Sequence, residues 1–161
     1  PKPRLLNCDN TYDGSVQNQL EKLIENEMVV NLPRVSDVAV TAEWDNNQFT
    51  LDDRARSYLD VNCTHCHNVK GPAKTSGLFL DYTEKDKTKL GLFKPPVSAG
   101  RGSGGLQYNI VPGRPDESIF IFRMESTDPG ILMPESGRKM VHKEGVELIK
   151  EWIRGMGDDY K

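Results

Sequence analysis

Apolar residues recur at helical spacing in four stretches of the chain, separated by polar, glycine-rich or proline-rich segments. Val16, Leu20, Leu23, Ile24 and Met28 fall on one face, with Ser15 placed as a cap and Pro33 as a stop, and predict an amphipathic helix opening at Ser15. A second helix is signalled at Thr50. Thr50 followed by Asp53 is a capping-box variant, and Ala55, Tyr58 and Leu59 form an apolar face that runs directly into Cys63. A short helix is expected after Pro115, carrying Ile119, Phe120, Phe122 and Arg123. The last stretch has the cleanest pattern: Val146, Ile149, Trp152, Ile153 and Met156 share one stripe, Lys143 and Glu147 can pair across a turn, and Gly155 and Gly157 end it.

The segments between read as connections. Residues 1–13 form an irregular lead-in with a turn at Tyr12-Asp13-Gly14, and residues 31–50 an extended link with Val35, Val38 and Val40 turned to the core and Trp44 and Phe49 as anchors. Residues 68–111 are broken by Gly71-Pro72, Pro95-Pro96 and the glycine cluster from Ser98 to Gly105. That cluster follows no strand and opens no helix, so it is not a dinucleotide fingerprint. There is no internal repeat. The pattern predicts an all-α, loop-rich fold.

Composition narrows this further. A chain of 161 residues is enough for one domain, but only 36% of it is hydrophobic, so a large apolar cofactor would help fill the core. The net charge of -3, without a block of like charges, speaks against nucleic-acid binding. No apolar run is long enough to span a bilayer. The chain opens on Pro1 without a signal peptide, and is expected to be a processed or trimmed product. Of its three cysteines, Cys8 stands apart near the start; it is expected to be an unpaired thiol, with a disulfide-linked dimer as the alternative.

The other two carry the chemistry. Cys63-Thr64-His65-Cys66-His67 is the CxxCH pattern of covalent haem attachment: the two thiols add across the vinyl groups of one haem, and His67 reaches the iron as proximal ligand. A redox dithiol or half a zinc site are the competing readings. The first wants a thioredoxin-like context and the second another ligand pair, and neither is visible in the sequence. The glycine cluster then has two readings, a surface loop or a loop at the haem edge with Arg101 as a candidate propionate contact.

The sixth iron ligand decides between electron transfer and small-molecule chemistry. Met28 and Met156 lie on apolar helical faces, Met124 in or just after a short helix, and Met140 close before the last helix. Met133 stands outside any stripe in Ile131-Leu132-Met133-Pro134, where the proline biases it to an extended backbone, and is the preferred distal ligand. His142 is the runner-up and would give a bis-histidine site.

The order of these features resembles class I cytochrome c, and more narrowly the cytochrome c domains of large bacterial multidomain proteins, including the planctomycete type. The resemblance rests on CxxCH, on Gly77-Leu78-Phe79-Leu80, on Pro112-Gly113-Arg114-Pro115-Asp116-Glu117-Ser118, on the Met133-Pro134 loop and on a helix ending in Trp152-Ile153, over about Leu51 to Met156. It implies a class I cytochrome c fold around one covalent haem c and its iron. Cys63 and Cys66 would be the thioether sites, His67 the proximal ligand and Met133 the distal one. A long loop insertion would precede the Met-Pro loop. Residues 1–50 would be an N-terminal extension with one amphipathic helix, and residues 51–161 the monohaem domain. The expected function is electron transfer in the periplasm or outside the cell, between donor and acceptor proteins the sequence does not name, and not catalysis. A haem enzyme or gas sensor with an open sixth site, and a docking domain of a larger redox assembly, are the alternatives.

Overall fold

Asp13 and Gly14 both take positive φ, 49° and 82°, in the computed structural model, which describes residues 2–157. That pair of angles builds a two-residue type I′ turn, whose twist suits a β-hairpin. Strands β1 (Asp9–Tyr12) and β2 (Ser15–Asn18) accordingly pair antiparallel across it, with Tyr12 opposite Ser15 and Asp9 opposite Asn18. This sheet corrects the expectation of an all-α class I cytochrome c fold: the architecture is mixed, with α-helices and one small antiparallel sheet. The strands escaped notice because most of their residues are exposed, so no alternation of apolar and polar positions marks them.

The chain divides into two units, residues 1–43 and 44–161, where the sequence reading set the division at 50/51. The first holds a short helix α1 (Pro3–Leu6), the hairpin, helix α2 (Gln19–Glu25) and a 3₁₀ turn at Val35–Asp37. Helix α2 opens four residues later than Ser15 because Asn18 is the cap: its side-chain oxygen accepts from the backbone N–H groups of Leu20 and Glu21 at 3.0 and 3.3 Å. Val16 and Met28 therefore fall outside the helix, and both are exposed. Among the described residues only Leu20 and Ala42 are buried apolar residues here, and polar bonds do the joining. Asn7 is the hub, donating to Val38 O and accepting from Asn18 Nδ2 and Thr41 N.

The second unit packs three helices, α3 (Leu51–Asn62), α4 (Ile119–Glu125) and α5 (Lys143–Gly155), against a long irregular segment. Thr50 caps α3 by accepting from Asp53 N at 3.1 Å, with Asp52 and Asp53 in the first turn where the helix dipole favours them. Ala55 and Leu59 of α3 meet Val146, Ile149, Trp152 and Ile153 of α5 in the core, and Trp152 Nε1 donates to Asp52 Oδ1 at 2.7 Å. Residues 68–118 are irregular but not peripheral, because Leu80, Leu90, Leu92 and Ile110 join the same core. Within them Ser118 is fully buried; its hydroxyl donates to Arg114 O and accepts from Val111 N, which fixes the chain's entry into α4. The glycine cluster packs on α4: a side chain at Gly104 would run into the Phe122 ring, and Gly102 lies beside the Arg123 guanidinium.

Candidate functional site

The carboxyl end of α3 passes into the CxxCH motif without a break in hydrogen bonding. Cys63 N donates to Leu59 O at 2.9 Å, and Cys66 N and His67 N both donate to Cys63 O, at 3.1 and 2.9 Å. Two further bonds anchor the motif, from Ala73 N to Cys66 O at 3.2 Å and from Leu80 N to His67 O at 3.0 Å. Gly71 is required between them, since a Cβ at that position would run into the carbonyl of Cys66. The His67 ring lies with Nδ1 3.2 Å from Ser76 Oγ.

These residues form one wall of a cavity of about 650 Å³, within the usual range for cofactor pockets, roughly 300–1,000 Å³. Cys63, Cys66, His67 and Met133 all line it, so the structure brings together the two expected thioether sites and the two expected axial ligands. Leu78, Leu80, Ile119, Phe120 and Val146 supply apolar walls. Met133 is held there through its backbone N–H, which donates to Arg123 O at the end of α4 at 3.0 Å. Met124 and His142 also reach the cavity, whereas Met140 and Met28 are exposed and Met156 is in the core.

His142 is engaged elsewhere. Its Nδ1 lies 3.1 Å from the Tyr58 hydroxyl, its ring stacks on Tyr58, and its Nε2 is 3.7 Å from Glu144. Gly145 makes this arrangement possible, because a Cβ there would collide with both the Tyr58 hydroxyl and His142 Nδ1. A glycine in a first helical turn is a cost that the sequence displays openly, and it was the one available signal for this contact.

Arg101 does not come into the cavity. Its guanidinium makes a paired bond to Asp128, at 3.0 and 3.1 Å, on an exposed face. Arg123 and Arg138 line the cavity instead, and nothing in the sequence distinguished them. Arg123 Nε donates to Ile131 O, and Arg138 donates to Arg123 O and Ser126 O, so both cations are fixed in place. Arg138 Nε is buried with no hydrogen-bond partner.

Electrostatics and side-chain geometry bear on the competing readings of the motif. Burial pushes the Cys63 thiol up to about 12, with Cys66 adding to the shift. A reactive redox dithiol needs the opposite displacement. Among the described residues no three His, Cys, Asp or Glu side chains converge as a zinc site requires. Burial, followed by the charges of Arg123 and His65, lowers His67 below its ordinary value, which favours the neutral ring that a metal ligand must be. Two thiols and an imidazole on one wall, a thioether, apolar sides and two cations for acidic substituents therefore fit a haem. No family model, curated protein or solved structure matches the chain.

Proposed function

We propose that this chain is a c-type haem protein that carries single electrons, with Cys63 and Cys66 as the thioether attachments and His67 and Met133 as axial ligands. The observation that carries this reading is the convergence of those four side chains on one apolar cavity. When bound, the haem supplies a one-electron iron centre, and the protein supplies everything around it. His67 stands at the end of a hydrogen-bonded turn and offers a nitrogen ligand. Met133 offers sulfur from a loop tied to α4, and His/Met ligation raises the potential of an iron centre. Leu78, Leu80, Ile119 and Phe120 exclude water, while Arg123 and Arg138 are positioned to neutralise the propionates. Met133 is preferred to His142 as the distal ligand because both ring nitrogens of His142 already face Tyr58 and Glu144. The resemblance of the motifs to cytochrome c domains supports a place outside the cytoplasm, where such haems are attached.

The test is a pyridine haemochrome and a reduced-minus-oxidised spectrum of the chain, produced in a host that attaches haem. One covalent haem per chain, low-spin in both oxidation states, is the expected result. A chain that matures without covalent haem, or a high-spin ferric centre, would overturn the reading as an electron carrier.

A further inference from the structure

A serine hydroxyl has one proton to donate and two lone pairs to accept with, and at Ser76 all three are accounted for. Ser76 Oγ lies 2.7 Å from the carbonyl of Ala73, which can only accept, so the hydroxyl proton is committed there. The backbone N–H of Leu78 donates to the same oxygen at 3.2 Å and occupies one lone pair. The remaining neighbour is His67 Nδ1, at 3.2 Å, and the remaining capacity is a lone pair. The Nδ1 atom must therefore bring the proton. In a neutral imidazole that leaves Nε2 as the unprotonated nitrogen.

We propose that Ser76 is the positioning residue of the site: it accepts from His67 Nδ1–H, presents Nε2 as the ligand atom, and sets how strongly the ring donates to iron. This rests on the reading of His67 as the proximal ligand. The local fold makes the placement firm. Ser76 ends a 3₁₀ turn (Lys74–Ser76) closed by Gly77 in the left-handed region, φ 65°, and the turn is tied to the motif through Ala73 N and Cys66 O. A hydroxyl is a weaker acceptor than a carboxylate, so it withdraws the Nδ1 proton only partway and lends the ring a limited gain in basicity. The acceptor at this position thus controls the potential through the ring rather than by touching the iron.

The assignment predicts opposite changes for two substitutions in the haem-loaded protein. Ser76→Ala removes the acceptor: the midpoint potential rises and His67 Nδ1–H, followed by NMR in the ferrous state, exchanges with solvent about fivefold faster, the counterpart of one lost hydrogen bond. Ser76→Asp strengthens the acceptor, so the potential falls and exchange slows. Ser76→Thr keeps the hydroxyl and should keep both values. A purely structural role would move Ala and Asp in the same direction, and that result, or no change in either, overturns the assignment. A haemochrome band missing from the unsubstituted chain as well marks failure of the underlying haem reading and removes the proposal with it.

Discussion

The two walls of the cavity are built differently. The wall that carries Cys63, Cys66 and His67 continues a helix, is cross-linked by backbone bonds to residues 59, 73 and 80, and leaves no room for a side chain at Gly71. The wall that carries Met133 is a loop joined to α4 by one backbone bond at Met133 itself and followed by exposed residues 135–137. One wall is held by several backbone bonds and is intolerant of change. The other is held by fewer bonds and can be altered without disturbing the core. If a haem occupies the cavity as proposed, one rigid and one adjustable ligand would keep its position fixed while the sixth bond is tuned.

The contrast can be broken most sharply at Gly71. Gly71→Ala drives a methyl group into the Cys66 carbonyl and should cost about 3 kcal/mol, read as a lowered midpoint in urea unfolding, since backbone has little freedom to retreat. A next test uses the Cys63 thiol. Its value of about 12 in the folded chain lies above the ordinary 9.0, so in this interval the unfolded chain binds fewer protons than the folded one, and stability falls as pH rises through it. The haem-free chain should lose on the order of 1 kcal/mol by about pH 10. The haem-loaded chain, whose thiol is consumed, should show no such slope; equal alkaline slopes would sink this account of the rigid wall. The smallest effect on stability is expected at the adjustable wall. In the haem-free chain Met133→Ala should change the unfolding free energy by less than about 0.5 kcal/mol, as for a loop side chain outside the core. It should nevertheless abolish the sulfur-to-iron absorption band of the ferric protein and lower its potential. An unchanged spectrum would remove Met133 from the site.

Features set by neighbours along the chain were legible in the sequence. Thr50 and Asp53 announced the start of α3, the stripe from Val146 to Ile153 announced α5, and the spacing of Cys63, Cys66 and His67 announced the site itself. What the sequence concealed depends on partners far away in the chain. Arg123 and Arg138 look like any surface arginines until the fold turns them inward, and Arg101 looks available until Asp128 takes it. The hairpin was hidden for a different reason: its strands bury so little that no pattern records them, and only Asp13-Gly14 marked the reversal. Ser76 is the subtle case. It stands nine residues beyond His67, in a stretch that reads only as a turn, and its role follows from counting a hydroxyl's bonding capacity.

Arg56 of α3 is buried, and one of its terminal nitrogens donates to the carbonyls of Asp81, Tyr82 and Glu84, at 2.9, 3.0 and 2.6 Å. Leu80, immediately before them, is both a cavity wall and the residue whose amide grips His67 O. The segment that lines the cavity is thus tied to the same helix that leads into the CxxCH motif. For an electron carrier this has a kinetic meaning. Each change of oxidation state alters the charge at the metal, and any atoms that must shift in response add to the barrier for the next transfer. Surroundings bolted to one helix have little to rearrange, so Arg56, which touches no cofactor, would govern how fast the centre can be cycled.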